Sequence, residues 1–147
     1  MRSLNMRKRT KAREFALQIL YQMDISQDSY EVSLGNFWQA QAKENIEEEV
    51  KNFTSQLVKG VRGNLEKIDL KISQYATNWQ LSRIAVVDKN ILRLGSFELM
   101  FCHDIPLKVS INEAVELAKK YSSLEASKFV NGILDKVKLE RKTDEIC

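Results

Sequence analysis

The sequence predicts an all-α protein, a small helical domain of about six or seven helices built around a central buried helix. Three observations carry that expectation. The 147-residue chain holds one proline and five glycines, too few turn formers for an all-β fold, which needs a turn about every 8 to 12 residues. Apolar residues recur at helical spacing along most of its length. The stretch 86–101, VVDKNILRLGSFELMF, places apolar side chains on every side at about 100° per residue, the pattern of a helix enclosed by other helices. Its four charges, Asp88, Lys89, Arg93 and Glu98, exclude a bilayer span and each needs a partner or a route to solvent.

The length suits one domain with its own core, or two small bundles sharing one. The reading is a single domain over 1–147, with 1–6 and 141–147 frayed. No apolar run reaches about 18 residues, and the basic N-terminus has no apolar signal segment behind it, so a soluble cytoplasmic protein is expected, with no membrane contact. Cys102 and Cys147 form no disulfide framework, which agrees with a reducing compartment. The net charge of +3 conceals an asymmetry: residues 1–14 carry six basic side chains against one acidic, and the remainder is slightly acidic.

Taken in order, Thr10 is expected to cap a first helix running to about Met23, with Phe15, Ala16, Ile19, Leu20 and Met23 as its apolar stripe. Residues 26–29 read as a loop. A second helix from Tyr30 to about Ala42 holds Leu34, Phe37 and Trp38. Asn45 with Glu48 resembles a capping box for a third helix, whose stripe continues through Val50, Phe53, Leu57 and Val61. Gly60 and Gly63 mark a kink or break before Leu65, Ile68, Ile72 and Tyr75 resume the period. Trp79, Leu81 and Ile84 lead into the central helix, which must end before Pro106 because the residue preceding a proline is pushed out of the α region. Ser110 with Glu113, and Ser122 with Glu125, are capping boxes for the last two helices. Gly132 interrupts the final stripe of Phe129, Val130, Ile133, Leu134 and Val137 at a cost of about 1 kcal/mol against alanine, which a close helix contact would explain.

With Thr10 as cap, the basic cluster sits at a helix N-terminus, where the macrodipole disfavours cations. Folding alone would not choose that placement, whereas a nucleic-acid phosphate would meet both the cations and the free backbone N–H groups. The alternative is a solvated basic tail. Aromatics are the other half of such an interface, because unstacked bases lie on them; Tyr21, Tyr75, Tyr121 and Phe129 are candidates, with core packing as the alternative for each. Enzyme motifs are missing. His103, beside Cys102 and Asp104, lacks the further ligands of a metal site, and the GVRG glycines lack a Walker lysine. No catalytic residue, cofactor or metal is expected.

Three blocks, KAREFALQILYQMD, WQLSRIAVVDKNILRLGSFELMF, and IPLKVSINEAVELAKKY followed by SKFVNGILDKV, together resemble the NusB family of bacterial transcription antitermination factors, in that family's order and spacing. Residues 24–60 match only in helical character. The resemblance implies two small helical bundles packed around shared helices, no catalysis, and binding of the single-stranded boxA element of ribosomal RNA leader transcripts together with NusE, a small-subunit ribosomal protein, within the RNA polymerase antitermination complex. It implies RNA contacts from Arg7, Lys8, Arg9, Lys11 and Arg13, and from Glu125, Lys128, Phe129 and Asn131. It also implies that Tyr21 and Asp88 face NusE. Phe129 and Asn131, about 200° apart around their helix, are the candidates for reading bases. Two other readings compete: the RNA-targeting domain of an rRNA cytosine methyltransferase, and a helical adaptor that binds only protein.

Overall fold

The computed structural model describes residues 4–141. Over them run α1 (Leu4–Ser26), α2 (Tyr30–Ala40), α3 (Glu48–Gly63), α4 (Leu65–Tyr75), α5 (Val86–Phe101), α6 (Leu107–Tyr121) and α7 (Leu124–Val137). Short 3₁₀ turns at Leu81–Arg83 and Lys138–Glu140 complete the set, and no strand occurs among the described residues. The chain divides into two compact units between Gly63 and Asn64.

In the first unit α1 packs against α2 and α3, burying the predicted stripe of Phe15, Ala16, Ile19, Leu20 and Met23. The helix begins at Leu4, six residues before the predicted start. Thr10 is no cap: its hydroxyl donates to the carbonyl of Met6, one turn back, at 2.9 Å. A threonine hydroxyl is satisfied by that carbonyl as well as by a helix end, and no proline or glycine lies between Leu4 and Thr10 to stop the helix. Ser29 does cap α2, its Oγ accepting from the Val32 N–H. Asn45 does not cap α3, which opens three residues later at Glu48; the Glu47 carbonyl takes the first N–H bonds, from Val50 and Lys51. The Glu47 and Glu49 carboxylates are drawn to Lys8 of α1. Gly63 and Asn64 form a true break, with Asn64 at φ −121° and ψ 21° outside helical geometry.

In the second unit α5 is the enclosed helix. All residues from Asn90 to Leu99 are buried, and α4, α6 and α7 pack around it. Burying side chains such as Ile91, Leu92, Leu94 and Leu99 contributes about 1.5–3 kcal/mol each. Its buried charges are partnered, as burial requires. Arg93 donates to both oxygens of Asp69 on α4, at 2.8 and 2.9 Å, and Glu98 accepts the Ser110 hydroxyl at 2.8 Å. That bond overturns the predicted cap at Ser110: α6 starts at Leu107 behind Pro106, and the buried carboxylate claims the serine. The α7 cap is Ser123, one residue past the predicted Ser122, with Oγ accepting from the Ala126 N–H at 2.9 Å.

The close helix contact falls at Gly95, not at Gly132. A Cβ on Gly95 would lie 2.6 Å from Leu134 Cδ1 and 3.4 Å from Ala114 Cβ, whereas one on the exposed Gly132 would meet nothing within 4 Å. The ends expected to fray are described in part: Leu4, Asn5 and Met6 belong to α1, and Arg141 is anchored. Its guanidinium donates to the carbonyls of Glu98, Leu99, Cys102 and Ile105 at 2.7–2.9 Å, clamping the end of α5 and the turn that follows it; the Glu98 and Cys102 carbonyls also accept the backbone N–H groups of Cys102 and Ile105. Residues 1–3 and 142–147 lie outside the described residues.

Candidate nucleic-acid interface

The longer α1 changes the meaning of its basic cluster. Arg7 to Arg13 lie within the helix rather than at its start, so the free N–H groups of a helix end are not what gathers them. Helical period then sorts them by face. Arg9 and Arg13, four residues apart, turn toward α3, with guanidinium carbons 4.6 and 5.4 Å from the Phe53 ring centre. Arg13 is only 3% exposed; it is a core cation stacked on an aromatic, and its guanidinium offers no open surface to a phosphate. Arg9 is half-buried at the edge of the same contact.

Lys8 lies between Glu47, at 2.8 Å, and Glu49. Those bonds hold the Lys8 ammonium above its ordinary pKa and the Glu49 carboxyl below its own. The acidic first turn of α3 therefore cancels part of the basic excess. Arg7 and Lys11, again four residues apart, form the exposed face; Lys11 Nζ lies 4.0 Å from Glu14 and 5.1 Å from the Phe15 ring centre. Tyr21, further along α1, is 40% exposed.

The second unit holds a cavity of about 350 Å³ at the start of α7. Phe129 and Glu125 of α7, Asp88 of α5, and Trp79 and Arg83 of the loop before α5 line it. Trp79 is 55% exposed, and its ring centre lies 5.7 Å from that of Phe129 with the planes 67° apart. Phe129 is half-buried, so it is not wholly core. Asp88 is also half-buried, and its Oδ1 is buried without a hydrogen-bond partner among the described residues. Lys128, which precedes Phe129 on α7, is exposed and does not line the cavity.

Asn131 is exposed too, but it lines a separate groove with Lys108, Asn112 and Lys138 between α6 and α7. The structure thus brings Phe129, Glu125 and Asp88 together and leaves Asn131 out, as their angular separation around α7 requires. Sequence reasoning missed Trp79 and Arg83. The available signal was a tryptophan in a polar, aperiodic run, NWQLSR, where no core stripe accounts for it. Elsewhere, the ring Nε2 of His103 is 2.9 Å from the Met100 carbonyl, and no cluster of metal-ligating side chains occurs among the described residues. Nor is any described helix long and apolar enough to cross a membrane.

Two helical bundles, one presenting a cationic helix face and the other an aromatic cavity, define the class: a small all-helical binding protein. The NusB family model matches residues 10–139. The chain belongs to the NusB family. It is 48% identical over 130 residues to the transcription antitermination protein NusB of Anaeromyxobacter dehalogenans strain 2CP-1, covering 88% of this chain and 89% of that one. It is 42% identical to the same-named protein of Thermodesulfovibrio yellowstonii, with 95% of each covered. Among solved structures, T. maritima NusB superposes with a TM-score of 0.82 at 35% identity, covering 99% of this chain and 97% of that one. A chain from the crystal structure of antitermination factors NusB and NusE in complex with dsRNA superposes with a TM-score of 0.79 at 26% identity, covering 95% and 100%.

Proposed function

We propose that this protein is a transcription antitermination factor that acts with NusE, a small-subunit ribosomal protein. Together they bind the boxA element of ribosomal RNA leader transcripts and support processive transcription by RNA polymerase. It works in the cytoplasm as a binding protein and not as an enzyme. The observation that carries the reading is the similarity over 95% of the chain to a protein solved with NusE and RNA, joined to relatives that are antitermination proteins over nearly their whole length.

Phosphates are held by Arg7 and Lys11 with Arg9 at the edge, since phosphate contacts position an RNA without reading it. Lys128 and Phe129 supply a cation and a ring face in the second unit, and Glu125 lies at the rim of the same cavity. A single strand suits the cavity because only unstacked bases present their faces to aromatic side chains. Tyr21 is the exposed aromatic of α1 for the NusE contact. Asp88, which the family resemblance also assigns to that partner, stands in the wall of the Phe129 cavity.

The test is competition binding of a boxA RNA against a scrambled RNA of equal length, with and without NusE. Preference for boxA in the presence of NusE is expected. Equal affinity for both RNAs under both conditions would replace this reading with that of a protein-only adaptor.

A further inference from the structure

We infer that the 3₁₀ turn Lys138–Glu140, with Arg141 behind it, is a strap that positions the RNA-binding surface: Glu140 holds the end of α4 and thereby sets Trp79 against Phe129. The inference rests on the RNA-binding reading above, which gives the Phe129 ring to RNA. Glu140 accepts the Tyr75 hydroxyl at 2.6 Å and lies 3.1 Å from the Lys71 ammonium. The first distance is that of a hydrogen bond to an ionised acceptor, stronger than a neutral one. Lys71 and Tyr75 are four residues apart, so they stand on one face of α4, and one carboxylate grips both. That carboxylate is itself held in place. Arg141, the next residue, is fixed on four carbonyls at the end of α5 and in the turn beyond it.

Tyr75 is the last residue of α4, and the loop to α5 begins beyond it. Thr77, Asn78, Trp79 and Gln80 are exposed, and the backbone bonds of the loop are local: the Trp79 N–H donates to Ala76, that of Arg83 to Gln80 and that of Ile84 to Leu81. Trp79 therefore takes its place from the end of α4, one turn back, and from its edge-on contact with Phe129 of α7. The strap continues α7 directly. Strap, end of α4, Trp79, Phe129 and α7 thus close a ring of contacts within the second unit. Opening that ring at Glu140 takes away the fixed support of Trp79 on the α4 side. RNA then meets the assembled surface in only a fraction of the molecules, and apparent affinity falls by that fraction. Simple electrostatics predicts the opposite sign, because removing a carboxylate favours the approach of a polyanion.

The test uses the full chain with NusE and a labelled boxA RNA. Glu140→Ala and Tyr75→Phe, each checked for native helicity and assayed well below its melting temperature, are expected to bind about three- to tenfold more weakly than wild type, the scale of one hydrogen bond. The salt slope should stay unchanged, since no phosphate contact is lost. In a Trp79→Ala background Glu140→Ala should cost less than about twofold further, because both changes break the same ring. A second measurement needs no RNA: with Trp38→Phe, which leaves Trp79 as the sole tryptophan, acrylamide should quench the fluorescence more strongly in both variants. Unchanged quenching overturns the inference, as does RNA binding at or above wild-type affinity in both folded variants. A full additive loss in the Trp79→Ala background also overturns it. If quenching rises but wild type with NusE fails to bind boxA RNA, the RNA-binding reading is removed, and the strap's part in binding falls with it.

Discussion

Neutralising the two carboxylates that hold Lys8 should strengthen RNA binding by a calculable increment. Lys8 lies against Glu47 and Glu49, so in the native protein it contributes little to the phosphate-binding face, and Arg13 is buried. Arg7, Arg9 and Lys11 remain. On the single-strand rule each phosphate neutralised adds about −0.7 to the slope of log K against log salt, giving about −2 from α1. In Glu47→Gln/Glu49→Gln the freed ammonium adds one contact, and the slope should steepen by about 0.7. In Arg7→Ala/Lys11→Ala it should flatten by about 1.4. The contribution from Lys128 is common to all variants and cancels in the differences. The assay is fluorescence anisotropy with a labelled boxA RNA across a salt series, at constant NusE. Glu48→Gln removes one charge from the same helical turn, and Glu48 makes no ion pair with Lys8 among those described, so it separates release of Lys8 from a general change in field. If the double glutamine variant keeps the wild-type slope, or Glu48→Gln steepens it as much, the assignment of Lys8 as a masked cation is refuted.

Two glycines in the second unit should respond oppositely to alanine. Gly95→Ala drives a methyl against Leu134 and Ala114 and should destabilise by about 1–3 kcal/mol through overpacking, less up to about 1 kcal/mol of helix propensity; Gly132→Ala, in open space, should stabilise by up to about 1 kcal/mol, and urea denaturation reads both. Arg141→Ala removes a donor from four carbonyls, of which Glu98 and Cys102 keep a backbone N–H partner, and should cost about 1–3 kcal/mol, seen as a lower melting temperature with faster amide exchange at the end of α5. The Glu49 carboxyl should titrate below an ordinary glutamate by NMR, because its bond to Lys8 favours the charged form. Its stabilising effect is therefore present above the unfolded-state pKa and lost as pH falls through the folded one, and Lys8→Met should abolish the downward shift.

The sequence by itself determined the helical class, the enclosed α5, the end of that helix before Pro106 and the placement of chemistry-bearing residues in α1 and α7. These follow from periodicity and from backbone restrictions that act over a few residues, which a linear pattern carries in full. Capping was not legible: Ser29, read only as part of a loop, caps α2, whereas Thr10 and Ser110, read as caps, found acceptors in Met6 and Glu98. The close contact passed unread at Gly95 and was expected at Gly132, because a glycine's spacing within a stripe does not say which neighbour approaches it. The site divided in the same way. That residues 7–13 are basic is visible in the sequence, but which of them reach solvent depends on Phe53, Glu47 and Glu49, some forty residues away along the chain. Likewise the meeting of Trp79, Asp88 and Phe129 is a product of helix packing. Tertiary structure decided those matters because desolvation and ion pairing depend on distance in space, and sequence separation does not report it.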